Sequence, residues 1–119
     1  MRVRQEVRVR AVAAGFSLVD QTKLVTAASE LARNTLDHGG GGSVQIESVE
    51  LADRRGVRLT FIDSGPGIPD IARALQDGFT TGGGLGLGLG GAKRLTNEFN
   101  IESAPGQGTR IMIARWKMM

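Results

Sequence analysis

The stretch GGGLGLGLGG, residues 82 to 91, places seven glycines in ten positions. Glycine loses more backbone freedom on folding than any other residue, so neither a helix nor a strand gains from that composition. A flexible spacer would alternate Gly with Ser. Here the intervening residues are Leu85, Leu87 and Leu89. Apolar anchors between runs of bare backbone predict a loop that packs down while turning its N–H groups toward a ligand. Phosphate is the common occupant of such a cradle, above all beside a helix N-terminus.

The rest of the chain must supply the framework for that loop. Residues 3 to 14 read as a helix, with Val3, Val7 and Ala11 at four-residue steps and Gly15 as the stop. Ser17 and Asp20 resemble a capping box with Asp in place of Glu. They open a long helix to about Asp37, whose apolar stripe is Leu24, Ala27, Ala28, Leu31 and Ala32. Gly39 to Gly42 end it. The period then changes to two. A strand over 43 to 52 carries Val44 and Ile46. The turn Asp53-Arg54-Arg55-Gly56 leads into a second strand with Val57, Leu59 and Phe61 alternating. A short helix is expected over 70 to 76, another over 91 to 97. Strands over 99 to 103 and 109 to 117 flank the turn APGQG. This order predicts an α+β fold, a two-layer sandwich with helices on one face of a mostly antiparallel four-stranded sheet.

Length and composition set the outer bounds. The 119 residues suit one domain spanning 1 to 119, and 40% of them are hydrophobic. With four Phe, one Trp and no Tyr, the core falls to Val, Leu, Ile and Ala. The absence of cysteine excludes a disulfide framework and thiolate metal sites. No apolar run is long enough to span a bilayer, and MRVRQEVRVR lacks the apolar core of a signal peptide, so a cytoplasmic protein with no membrane partner is expected. The net charge of +3 owes much to Arg2, Arg4, Arg8 and Arg10. No aromatic is interleaved with them for stacking on bases, so no nucleic-acid partner is expected and a solvated helix face is the plain reading.

Known phosphate motifs divide on the glycine stretch. A P-loop requires GxxxxGK followed by Ser or Thr, and here Lys93 precedes Arg94. The dinucleotide pattern GxGxxG matches formally at Gly86, Gly88 and Gly91, but DGFTTGGG before it is no strand. Two other places carry chemistry. Glu30 and Asn34 sit four apart on the long helix and so share a face. Asn is a poor mid-helix residue, and an amide beside a carboxylate suits a hydrated Mg²⁺ and a poised hydroxyl. Asp63 in DSGPGI ends an apolar strand. It reads as a turn former or as a cleft carboxylate accepting from an exocyclic amine, with Gly65 and Gly67 allowing close backbone approach.

Taken in order, ELARNTLDHG, DSGPGIP, GGGLGLGLGG and GQGT resemble the motif set of the GHKL ATPases, the gyrase, heat-shock chaperone, histidine kinase and MutL group, over nearly the whole chain. The resemblance implies a Bergerat-type fold binding ATP or ADP with Mg²⁺. It implies that Asn34 coordinates the metal and that Asp63 binds the adenine amine, partly through water. Asp37, Gly65, Gly67 and Ile68 would line the nucleotide. Thr80 and Thr81 would lie in the lid, and Gly83, Gly84, Leu85, Gly86, Leu87 and Gly88 would wrap the phosphates. Thr109 would contact phosphate or nearby water. His38 is expected to line a helix end or cleft, not to accept phosphate.

The small size, with VDQTKLVTAASELARN, DSGPGIPDI, DGFTTGGGLGLGLGGAKRL and GTRIMIARW, resembles the anti-sigma-type serine kinases, closest to the switch kinases of bacterial stressosomes. That implies a protein serine/threonine kinase with Glu30 as general base. Its substrate would be a STAS-domain antagonist, and when released it would activate a PPM-type serine phosphatase. The alternatives are an anti-sigma factor that holds a sigma subunit and a nucleotide-dependent binding module without transfer. Relatives of this type begin with an additional strand and the front of the first helix. A sheet lacking that edge strand is therefore expected, through a shortened or misassigned start or through an edge that a second copy or a partner covers, with greater stability in the bound state.

Overall fold

The computed structural model describes residues 2–37, 39–68, 70–75 and 88–118. Helix α1 runs Arg2–Ala13 and α2 Leu18–Asp37. Strands β1 (Gly42–Glu50) and β2 (Arg54–Asp63) follow, then α3 (Ile71–Ala74), α4 (Gly88–Arg94), β3 (Glu98–Ser103) and β4 (Thr109–Met118). The four strands form one sheet in the order β1-β2-β4-β3, and every pairing is antiparallel. Helices α1 and α2 pack on one another and on one face of the sheet, and α4 packs on α2 and adds Leu89 and Ala92 to the same core, which is the α+β sandwich expected.

The core lies where the sheet's inward row meets the stripes of α1 and α2. Val57, Leu59 and Phe61 of β2 and Ile111 and Ile113 of β4 are buried against Val7, Ala11, Leu24, Ala28 and Leu31. Burying each large apolar side chain contributes about 1.5–3 kcal/mol. The opposite face of the sheet carries cross-strand charge pairs, such as Arg58 with Glu47 and Arg110 with Glu102.

Two boundaries and one cap differ from the sequence reading, each for a tertiary reason. Strand β2 begins at Arg54, not Val57, because β4 pairs with it out to Met118 and Trp116 receives the Arg54 guanidinium on its ring. Helix α4 occupies 88–94, not 91–97, so Gly88 to Gly91 are helical despite their composition. Burial of Leu89 and Ala92 in the core outweighs the helix-propensity cost of glycine, about 1 kcal/mol each. At the start of α2 the Ser17 hydroxyl does cap the Asp20 N–H, at 3.2 Å. The Asp20 carboxylate, however, makes its 2.6 Å bond to Arg115 across the domain.

Candidate functional site

One end of the sheet presents a row of four paired residues. Gly42 pairs with Asp63, Asp63 with Thr109, and Thr109 with Ser103. They share a face because the side-chain period of a strand is two, and that face is the one covered by the helices. The row therefore sets one carboxylate and two hydroxyls side by side at the rim of the core.

The chain crosses this rim three times at close quarters. Helix α2 ends with Gly39 donating to the Asn34 carbonyl and Gly41 donating to the Thr35 carbonyl, at 3.3 and 2.9 Å. A side chain on Gly39 would collide with the Asp63 carboxylate, and one on Gly65 would sit 2.7 Å from Gly39 Cα. The C-terminus of α2 is thus seated directly on the Asp63 turn. Gly108, at φ +76°, brings the 104–108 loop against the Asp63 carbonyl. Asp63 itself accepts from the Gly65 N–H at 2.9 Å, an Asx turn that holds the carboxylate in place. Ser103 ties the row to the loop after it. Its Oγ accepts from the Ile68 N–H at 2.8 Å and contacts the Gly108 carbonyl and Thr109 Oγ1, each at 2.9 Å.

Above the rim, α2 carries Glu30, Asn34 and Asp37 at i, i+4 and i+7, a single stripe of the helix. Val25 of α2 borders α1. Glu30 lies about 140° around the helix from Val25. It is only 5% exposed, and no hydrogen bond or ion pair from the described residues reaches its carboxylate. Its oxygens are not among the fully buried atoms left without a partner, so the carboxylate reaches solvent from the edge of the core. Asn34 is half-buried and Asp37 exposed.

The sequence profile described as Histidine kinase-, DNA gyrase B-, and HSP90-like ATPase matches residues 19–118. The chain belongs to this ATPase family. It is 48% identical over 102 residues to the serine/threonine-protein kinase RsbT of Bacillus subtilis (strain 168), covering 86% of this chain and 77% of that protein. It is 38% identical over 101 residues to an anti-sigma F factor of Bacillus licheniformis, covering 79% of this chain and 68% of that protein. The catalytic domain of histidine kinase ThkA, in a nucleotide-free form, has the same fold, with a TM-score of 0.58 at 23% identity. That match covers 81% of this chain and 66% of the other, just under two thirds.

Within this ATPase-family chain, the structure brings Asp63, Gly65, Gly67, Ile68 and Thr109 together at the sheet's end, with Glu30, Asn34 and Asp37 on the helix that ends there. Gly88 opens α4. Thr80, Thr81, Gly83, Gly84, Leu85, Gly86, Leu87 and His38 lie outside the described residues. The close approaches made by Gly65 and Gly67 are to protein backbone, at Gly39 and at the Ala104 carbonyl. Sequence reasoning missed Ser103, Gly39 and Gly108 as parts of the site. Gly108 stood inside the quoted GQGT, but Ser103 read only as a strand end. Among the described residues no group of three or more His, Asp or Glu could hold a metal, and no helix is long and apolar enough to cross a membrane.

Proposed function

We propose that this chain is a Mg²⁺-ATP-dependent protein serine/threonine kinase of a partner-switching pathway. The observation that carries this is Glu30, a largely buried residue whose carboxylate receives no hydrogen bond or ion pair from the described residues, one turn from Asn34 on the helix that ends over Asp63 and Thr109. A carboxylate kept without a partner suits a group reserved for a proton. The 48% identity to a serine/threonine kinase supports the same reading.

In this reading the Asp63 carboxylate accepts from the adenine amine, with its geometry set by the Gly65 N–H. Asp37, Ile68 and the backbone of Gly65 and Gly67 line the nucleotide. Gly83, Gly84, Leu85, Gly86, Leu87 and Gly88 wrap its phosphates, with Thr80 and Thr81 in the lid above them. Asn34 would offer one amide oxygen to Mg²⁺, an ion that usually takes few protein ligands. Bound there, the ion would neutralise charge on the phosphates during transfer. Glu30 takes the proton of the acceptor hydroxyl as that oxygen bonds the γ-phosphorus. The bond from the γ-phosphorus to the β–γ bridging oxygen breaks, and ADP leaves. The substrate is a STAS-domain antagonist, and the freed kinase activates a PPM-type serine phosphatase. Residues 1–119 act as a single cytoplasmic domain, in a dimer or with a partner on the sheet edge.

The test combines the purified chain, ATP labelled on its γ-phosphate, and STAS-domain proteins of its host. Label on Ser or Thr of one of them, lost in Glu30→Ala while ATP binding survives, is the expected result. Equal transfer by Glu30→Ala would reject the base assignment. The 38% identity to an anti-sigma F factor favours a second reading, in which the chain holds a sigma subunit. Co-purification of sigma with no labelled protein would select it.

A further inference from the structure

The geometry points to Ser103 as a positioning residue that turns the Thr109 hydroxyl into a pure acceptor, and so selects 6-aminopurines over 6-oxopurines. The inference rests on the adenine reading of Asp63 above and concerns a residue that reading does not use.

Three groups surround Ser103 Oγ: the Ile68 N–H at 2.8 Å, the Gly108 carbonyl at 2.9 Å and Thr109 Oγ1 at 2.9 Å. A serine hydroxyl has one hydrogen and two lone pairs. The Ile68 amide can only donate, so it takes one lone pair. The Gly108 carbonyl can only accept, so it takes the hydrogen. That leaves one lone pair for Thr109, whose hydroxyl must donate to it. No other assignment satisfies all three contacts. Gly108 is itself buried, so a Ser103 hydrogen turned to Thr109 instead would leave a buried carbonyl short of its donor.

The consequence falls on the other side of Thr109. Thr109 stands between Ser103 and Asp63 in the cross-sheet row, and it is only 9% exposed. Its hydrogen is committed to Ser103, so lone pairs are what it has left to offer elsewhere. Asp63 offers only lone pairs as well, apart from the one engaged by the Gly65 N–H. Two adjacent acceptors with no donor between them require a ligand group, or an intervening water, that donates. The 6-amino group of adenine has two N–H bonds. The 6-oxo group of hypoxanthine or guanine would set its own lone pairs against those of Thr109 and Asp63. A site of fixed polarity rejects the mismatched analogue because its buried polar groups are then left unpaired. Without the Ser103 acceptor, the Thr109 hydroxyl is free to rotate and donate to a 6-oxo group.

The test measures ADP and IDP affinities of the full chain by calorimetry, since these ligands differ at position 6 of the purine. The wild type should prefer ADP. In Ser103→Ala the ADP-to-IDP affinity ratio should fall by about five- to tenfold, the worth of one neutral hydrogen bond, and Ser103→Thr should restore it. Should Ser103→Ala fail to fold, Ser103→Cys keeps the bulk, offers a poor acceptor, and should move the ratio in the same direction. A purely structural Ser103 would weaken both ligands together and leave the ratio unchanged, which overturns the inference. Equal ADP and IDP affinity in the wild type overturns it too. A wild type that binds neither nucleotide refutes the adenine reading itself, a separate result.

Discussion

At one end of the sheet, Gly42, Asp63, Thr109 and Ser103 form a row held by hydroxyls, backbone groups and glycine contacts, with acceptors left open beside it. At the other end, Arg54 lies over the Trp116 ring at 4.2 Å, and Trp116 donates its indole N–H to Glu98 at 2.7 Å. Arg115 bonds both Asp20 and the Leu95 carbonyl there, and Lys117 bonds the Gly15 carbonyl. Helix α2 spans the two, with Asp20 near its N-terminus in an ion pair and Glu30 and Asn34 toward its C-terminus without one among the described residues. Opposite charges close the far end onto itself, and only the Arg55 and Arg115 Nε atoms stay buried without partners among the described residues. The near end keeps bonding capacity in reserve. The difference separates residues that hold the fold from residues kept for a ligand.

That separation has measurable consequences. Glu30→Gln, which keeps the shape of the side chain, should lower phosphoryl transfer by about 10²–10⁴-fold, the usual worth of a general base. Its melting temperature should stay level, because the Glu30 carboxylate makes no hydrogen bond or ion pair with the described residues. A drop of several degrees would mean that Glu30 belongs to the fold and not to the chemistry. Asp63→Asn comes next. Loss of a charge-assisted acceptor should weaken ADP by about tenfold to a hundredfold. Unchanged affinity for ADP sinks the adenine assignment.

Changes at the far end should do the reverse. Asp20→Asn should cost about 1–2 kcal/mol of stability, discounted because the aspartate is partly exposed, and leave ADP affinity alone. Denaturant melts alongside calorimetry would show it. The same pair sets an acid limit. The hydrogen bond from Arg115 holds the Asp20 carboxyl below its usual range, with the charge of Arg115 adding to the effect and burial opposing it. The folded chain then binds that proton more weakly than the unfolded chain. The contribution is full above about pH 4 and is lost as pH falls through the lowered value. Wild type should lose this increment on acidification and Asp20→Asn should not; parallel pH profiles would contradict the linkage. Trp116→Phe should have the smallest effect, about 1 kcal/mol, through loss of the indole bond to Glu98.

Much of this was legible in the residues. The four-residue steps of α1, the stripe of α2 and the alternation of Val57, Leu59 and Phe61 each predict an element that the structure contains. The ordered motifs carry the family resemblance in the residues alone. Legibility failed where a local preference met a tertiary demand. Gly88 to Gly90 read as loop and are helix, because Leu89 and Ala92 are drawn into the core. Asp20 read as part of a capping box, yet its short bond goes to a guanidinium 95 positions away.

By itself the sequence determined which residues face inward, since side-chain direction follows from a period of 3.6 or 2 that any stretch carries within itself. It also determined that carboxylates and glycines recur in an ATPase-like order. Only the tertiary structure decided that Asp63 stands beside Thr109 and Thr109 beside Ser103, because register between distant strands is a long-range property that no local period encodes. The polarity of the Thr109 hydroxyl follows from that register. It is set by a serine, an isoleucine amide and a glycine carbonyl that meet only in the folded chain.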